Sequence, residues 1–190
     1  MAHYRKIDVR IWNDQKFTSL TTTGQLTFLF LITHPSMTPI GAMRTTKDGI
    51  ASELKVFHEG LTEAFNEGFE QLISIGLIEV DAKACCLYIP NFIKYQSAES
   101  PNVIRNWSKC LEFIPECSLR ANAIAGLGGF VKGMSKGFQK AFAEAFAKDM
   151  PESVSSKERA VNTKNHTSQG EKNNGELSEN AKKYAEAEGF

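Results

Sequence analysis

The chain has 190 residues, which gives room for one domain of ordinary size and a tail. Hydrophobic residues make up 42% of the sequence, enough for a folded core. The 22 basic and 22 acidic side chains give a formal net charge of zero. A neutral chain argues against binding to nucleic acid through overall charge, so any such binding must depend on local clusters of basic residues.

No membrane segment or catalytic motif is predicted. The longest apolar run, residues 26–32, is far shorter than the ~20 residues that span a bilayer, and no signal-peptide pattern precedes it. We therefore expect a soluble, cytoplasmic protein without membrane contact. The four cysteines lack CxxC spacing and the histidines are scattered, so we expect buried thiols, no metal or other cofactor, and no enzyme activity.

The first 35 residues predict an extended segment and then a helix. Apolar and charged residues alternate over 6–11, a period of two that indicates an extended edge segment ending at Trp12. Thr22 and Gln25 have capping-box spacing, which predicts a helix that runs to about Thr33 and stops before Pro35. Its apolar residues lie nearly all round, so we expect this first helix to be the buried central one.

Residues 45–90 have the pattern of a winged helix-turn-helix. The pattern consists of a second helix (46–54), a turn (55–58), a third, amphipathic helix (59–75) ending at Gly76, and a hairpin (77–89) with its turn at 81–84. Residues 40–44 are expected to add a strand beside this wing. Because such a unit is chiefly a scaffold for docking nucleic acid, DNA binding is the leading hypothesis.

The outer face of the predicted third helix is acidic. It carries four glutamates and no lysine or arginine, in the set Glu59, Thr62, Glu63, Asn66, Glu67, Glu70, Gln71 and Ser74. Glutamates near phosphates are repelled, so this face is poorly matched to a major groove. We interpret it as a solvated face rather than a metal site.

Residues 101–148 predict further helices. Pro101 suits the first turn of a helix that packs on the core. Residues 129–148 contain five four-residue repeats, each with a small, a large apolar, a variable and a charged residue. The alanine half should be helical and the glycine half marginal. Gly129, Gly133 and Gly137 would form a ridge for close approach of a partner or a second copy.

Two separated blocks resemble bacteriophage and prophage replication proteins with an N-terminal winged helix. The first block is residues 4–14 with Lys16-Phe17, and the second is Asn91–Tyr95 followed by Pro101-Asn102-Val103 and Trp107. The repeats also look like those in such proteins. The resemblance covers roughly residues 3–110 and implies a DNA-binding role in replication initiation in the cytoplasm of a bacterial host cell, with a host replicative helicase or its loader as partner.

The candidate DNA-binding residues are cations near the predicted docking elements and amides on the third helix. They are Arg5, Lys6 and Arg10 in an N-terminal arm, Arg44 and Lys47 around the start of the second helix, Asn66 and Gln71 on the third helix, Lys83 at the wing tip, and Lys94 and Arg105 near the wing. Each has an ordinary alternative, as a charged strand edge, as plain surface or as a spacer. Tyr95 and Trp107 either stack on bases or anchor the core.

The sequence thus predicts a mainly α chain with a small β-wing. A winged helix-turn-helix DNA-binding domain (1–113) is followed by a helical extension (114–150) and a disordered tail (151–190) with a short terminal helix. We expect a non-catalytic DNA-binding protein of phage-type replication initiation or replisome assembly, with self-association through 129–148. Two alternatives stay open: a protein-interaction module that docks through the acidic third helix, and a winged-helix transcriptional regulator.

Overall fold

The computed structural model describes residues 5–55, 60–96 and 98–149. Within them the chain is mainly helical, with a small three-stranded antiparallel sheet, which confirms a mainly α class with a small β element. None of the helices in these ranges is long and apolar enough to cross a membrane. The predicted tail at 151–190 and most of the predicted turn at 55–58 lie outside the described residues.

The helices differ widely in length, from one turn to nearly four. They are α1 (Gln15–Thr18), α2 (Thr22–Thr33), α3 (Lys47–Glu53), α4 (Leu61–Ser74), α5 (Phe92–Tyr95), α6 (Pro101–Trp107), α7 (Ser118–Val131) and α8 (Lys136–Ala145), with 3-10 helices at Val9–Asn13 and Ser108–Phe113. Strands β1 (Ala42–Arg44), β2 (Glu79–Asp81) and β3 (Cys86–Tyr88) form a sheet in the order β1-β3-β2. In the register, Ala42 and Glu79 both lie opposite Tyr88.

Side-chain caps mark where α2 and α3 begin. The hydroxyl of Thr21 accepts a hydrogen bond from the amide of Gly24, so Thr21 caps α2. The predicted capping box of Thr22 and Gln25 is therefore wrong by one residue, and Gln25 instead donates to the carbonyl of Phe17. Thr46 caps α3 through the amide of Gly49, as predicted.

The N-terminal segment forms a 3-10 helix from Val9, where its alternating pattern predicted that the extended edge continues, and residues 5–8 belong to no helix or strand. The carboxylate of Asp8 accepts a hydrogen bond from the amide of Arg10 and caps the 3-10 helix that follows. Val9 is 80% exposed, so the alternate apolar residues do not share one buried face. A local cap thus overrides an alternation that no neighbouring strand supports.

Helices α2 and α4 cross with their backbones in contact at Gly24 and Gly68. A Cβ atom on Gly68 would lie 2.6 Å from the amide nitrogen of Gly24 and 2.8 Å from its Cα, which is closer than packed atoms come. Large apolar side chains close the core around the crossing, among them Phe17, Phe28, Leu31, Phe65, Phe69 and Leu72. The crossing fixes α4 with its apolar side inward and its acidic side outward. Gly76, at a φ of +69°, ends the helix segment where the sequence predicted.

The helices after residue 113 share a second core with the sheet. The residues of this core include Ala42, Cys86, Tyr88, Ile104 and Trp107 together with Leu119, Ala123, Leu127, Phe142 and Phe146. The extension predicted at 114–150 therefore has a buried face that packs on the earlier residues. The division at residue 113 stays a prediction.

The four-residue repeats are divided between two helices. Helix α7 ends at Val131, residues 132–135 form a turn, and α8 begins at Lys136. Because Gly129, Gly133 and Gly137 lie in α7, in the turn and in α8, the predicted glycine ridge is wrong. A period of four drifts by about 40° per repeat on one helix. The break turns the large apolar residues back onto the second core, which includes or contacts Phe130, Met134, Phe138, Phe142 and Phe146.

The backbone contact at Gly68 leads to a first prediction. Gly68→Ala should lower the free energy of unfolding by about 1–3 kcal/mol, because the methyl group forces α2 and α4 apart. The matched control is Gly129→Ala, since a Cβ there meets nothing within 4 Å. The control should be neutral or stabilising by up to ~1 kcal/mol through helix propensity. Urea unfolding measures the free energy of unfolding of both variants. If Gly68→Ala is as stable as Gly129→Ala, the close approach of α2 and α4 is wrong.

The cysteines lead to a second prediction. Cys86 and Cys110 are buried, and burial raises the pKa of Cys86 to about 12 and that of Cys110 to about 11. Only the thiolate reacts with iodoacetamide, so at pH 8 these two thiols should stay unlabelled in the folded chain. Half-buried Cys85 and Cys117 should react first. Peptide mapping before and after denaturation measures the order in which the four cysteines are labelled. Labelling of Cys86 before Cys85 and Cys117 would contradict the prediction.

Candidate nucleic-acid interface

An open cleft lies beside the N-terminal segment and helix α5. It has a volume of about 410 Å³ and is lined by Lys6, Ile7, Asp8, Arg10, Lys94 and Tyr95. Three lining side chains are positive and one is negative, which gives a formal charge of +2. We call this feature the Tyr95 cleft.

Contacts from distant residues hold the N-terminal wall of the Tyr95 cleft. The side-chain amide of Gln96 donates to the carbonyl of Lys6 at 2.6 Å and accepts from its amide at 3.5 Å. The guanidinium of Arg5 lies 5.5 Å from the centre of the Phe92 ring and donates to the carbonyl of Met37. Burial lowers the pKa of Arg5. Arg5 therefore positions the wall, and its guanidinium is engaged within the fold.

Tyr95 is the aromatic group that the cleft presents to solvent. It is 50% exposed, whereas Trp107 is 7% exposed and belongs to the second core. Of the two roles left open for these residues, core anchoring therefore applies to Trp107. Helix α5 holds Tyr95 in place because its neighbours Phe92 and Ile93 are buried on the other side.

Arg10 and Asp8 form a fork-shaped pair at the cleft. The carboxylate accepts from the guanidinium Nε at 3.0 Å and from a terminal nitrogen at 2.6 Å. The side-chain hydrogen bond from Arg10 holds the pKa of Asp8 at about 2, well below its usual value. Asp8 is therefore ionised at neutral pH and offsets the charge of Arg10. The net positive charge of the cleft comes from Lys6 and Lys94.

Several of the predicted cations pair with carboxylates of this chain. The pairs are Lys6 with Glu99 at 3.3 Å, Arg10 with Asp8 at 2.6 Å, Lys47 with Glu70 at 2.9 Å, and Arg105 with Glu144 at 2.9 Å. Exposed single-contact pairs such as Lys6 with Glu99 are weak, so a phosphate can replace the carboxylate there at little cost, whereas the fork-shaped pair of Arg10 and Asp8 holds more firmly. No ion pair to Arg44, Lys83 or Lys94 occurs within the part of the chain that the structure describes.

The two amides predicted on the third helix differ in their surroundings on α4. The carbonyl oxygen of Gln71 accepts the amide of Thr21 at 2.9 Å, and its amide nitrogen donates to Glu67 at 3.3 Å. Gln71 therefore holds the start of α2 and is engaged within the fold. Asn66 is exposed on the acidic face beside Glu63 and Glu67.

The structure brings three of the ten candidate residues together, namely Lys6, Arg10 and Lys94. The other seven do not line the cleft: Arg5, Arg44, Lys47, Asn66, Gln71, Lys83 and Arg105. Sequence reasoning missed Asp8 and Gln96 as parts of this site. The Asp-x-Arg spacing of Asp8 and Arg10 was the usable signal for the first, because it favours a cap. Nothing in the sequence pairs Gln96 with Lys6.

No three histidine, cysteine, aspartate or glutamate side chains are grouped to hold a metal ion among the described residues.

Comparison of the chain with protein-family models, with curated proteins and with solved structures finds no match in any of the three. The functional argument therefore depends on the cleft and on the charges around it.

The contact between Gln71 and Thr21 leads to a third prediction. Gln71→Ala should lower the free energy of unfolding by about 1 kcal/mol, because the partly buried amide of Thr21 loses its acceptor. Asn66→Ala, on the same helix, is the control and should change it by less than about 0.5 kcal/mol. Urea unfolding compares them. If Gln71→Ala leaves the free energy of unfolding unchanged, Gln71 is not engaged in the fold and would again be a candidate for DNA contact.

Proposed function

We propose that this chain is a non-catalytic DNA-binding protein that acts in phage-type DNA replication initiation or replisome assembly. The observation that carries the proposal is the convergence of Lys6, Arg10 and Lys94 on one open cleft beside the exposed ring of Tyr95. Cations that contact phosphates and an aromatic face that accepts a base are the two parts of a nucleic-acid site.

The order of elements supports a winged helix-turn-helix as the scaffold. Helix α2, strand β1, helices α3 and α4 and the hairpin β2–β3 follow one another in the sequence expected for that fold, with β1 at the edge of the sheet. In this proposal α3 and α4 are the helix-turn-helix and β2–β3 is the wing. Helix α4 would then be the element that normally enters the major groove.

The process assignment rests on the resemblance to phage and prophage replication proteins. The two sequence blocks that carry the resemblance both line the Tyr95 cleft, since Lys6 and Arg10 belong to the first and Lys94 and Tyr95 to the second. A cleft made from both blocks gives them a shared physical role. A host replicative helicase or its loader is the partner that this proposal includes.

A fourth prediction tests the DNA interface. In the full chain, replacing Lys6, Arg10 and Lys94 together by Ala should weaken binding to labelled DNA. It should also flatten the log–log salt dependence, by up to about 0.7–0.9 for each phosphate that the variant no longer neutralises. Fluorescence anisotropy at about 50 and about 200 mM salt measures both effects. Circular dichroism verifies folding, which should survive because all three side chains are exposed.

The matched control removes three exposed lysines outside the cleft. Replacing Lys132, Lys136 and Lys148 by Ala changes the net charge equally and should leave affinity and salt slope nearly unchanged. Equal losses in the two triple variants would show attraction by overall charge and contradict a site at the cleft.

A second candidate function is a protein-interaction module that docks a basic partner through α4. The supporting observation is the exposed acidic face with Glu63 and Glu67, flanked by Leu61 and Ile73, which are 47% and 37% exposed. The same anisotropy assay separates the two functions. Failure of the full chain to bind any DNA at about 50 mM salt would favour the interaction module.

A further inference from the structure

We infer that the Tyr95 cleft takes single-stranded rather than duplex DNA, with one base stacked on the Tyr95 ring and the neighbouring phosphates on Lys6 and Lys94. This inference rests on the proposed function, because it specifies the ligand of the same site. It is carried by the shape of the cleft, by the exposure of the ring and by the charge of α4.

The ring of Tyr95 offers a stacking platform that only an unpaired base can use. Half of this residue is exposed, and α5 is fixed beneath it by buried Phe92 and Ile93. Bases within a duplex have their faces covered by their neighbours, whereas the bases of a single strand can be splayed out onto an aromatic side chain. A base on Tyr95 therefore requires a single strand, a loop or an end.

The shape of the cleft also favours a single strand. The space of about 410 Å³ is concave and open to solvent. Reading a duplex needs a convex element that inserts into a groove about 12 Å wide, and a concave cleft offers none. One or two nucleotides of a flexible strand can enter it.

The cations are placed to hold the backbone beside such a base. Lys94 belongs to the same helix as Tyr95 and takes part in no ion pair within the described residues. The partner of Lys6, Glu99, is 80% exposed and lies at 3.3 Å, so a phosphate can displace it easily. Arg10 stays paired with Asp8, and the positive charge left for phosphates is that of the two lysines.

The element that would read a duplex is unsuited to the task. The exposed face of α4 presents Glu63, Glu67 and Glu70, and of these Glu70 is paired with Lys47. Phosphates on both sides of a major groove would be repelled by these carboxylates. Gln71, whose amide is of the kind that pairs with adenine, is already bonded to Thr21.

A fifth prediction tests the single-strand inference with the full chain. Labelled oligothymidine of about 20 nucleotides should bind more tightly than a duplex of equal length at equal salt. Tyr95→Ala should weaken binding to the single strand about tenfold or more and leave duplex binding unchanged. Tyr95→Phe is the matched control and should retain the wild-type affinity, because it keeps the aromatic face. Fluorescence anisotropy gives all of these affinities.

A strand of abasic sites provides an independent probe, since it has the same phosphates and no bases. The wild-type chain should bind it about as weakly as Tyr95→Ala binds oligothymidine. If Tyr95→Ala affects the single strand and the duplex equally, or neither, the inference is wrong. The proposed function still stands in that case, provided that the Lys6, Arg10 and Lys94 variant loses DNA binding. If the wild-type chain binds neither strand type, both proposals fail.

Discussion

The backbone contact between Gly24 and Gly68 is the constraint on which the arrangement of the other elements depends. Because neither residue has a Cβ, α2 and α4 approach until the backbone of one touches that of the other, and Phe65, Phe69 and Leu72 enter the first core. The same approach brings Gln71 of α4 to the start of α2, where it accepts the amide of Thr21. With its apolar side and the amide of Gln71 both turned inward, α4 exposes Glu63, Glu67 and Glu70 to solvent, together with Asn66. The helix that the proposed winged helix-turn-helix would place in a major groove therefore has an acidic surface.

The Tyr95 cleft is made by contacts between segments that are far apart in the sequence. Gln96 binds the backbone of Lys6 across 90 positions, and Arg5 lies on the ring of Phe92, so the N-terminal segment is fastened to α5 and the loop after it. These contacts use backbone groups and a half-buried guanidinium, and they leave the ammonium group of Lys6 at the surface. The backbone of Lys6 thus stabilises the fold, while its side chain lines the cleft. Because of these long-range contacts, two separate blocks of the sequence contribute to one surface.

The parts of the fold that sequence predicted well depend on local signals. Thr46 before α3, Pro101 at the start of α6 and the regular apolar face of α4 each act within a few residues, and the structure has helices there. The strand predicted by the alternation at 6–11 is wrong, because Asp8 caps a 3-10 helix there and because a strand needs a pairing neighbour that a local pattern cannot supply. The glycine ridge predicted from the repeats is wrong because the helix breaks at 132–135. On one continuous helix the large apolar residues would drift around the axis, and the break corrects this drift. At the site, charge could be read from sequence, whereas the partners of Arg5 and Gln71 are long-range and could not.

The zero net charge of the chain limits how the proposed DNA binding can gain its affinity. Several of its candidate cations have a carboxylate nearby, so each phosphate that binds them replaces an existing pair instead of satisfying a free charge. The net electrostatic gain from such an exchange is small and is screened further by salt. Stacking of a base on Tyr95 adds attraction that does not depend on ionic strength in the same way. In a chain without excess positive charge, an exposed aromatic ring beside two lysines is therefore the arrangement that would give the proposed binding its strength. It would also direct that binding toward strands whose bases are unpaired.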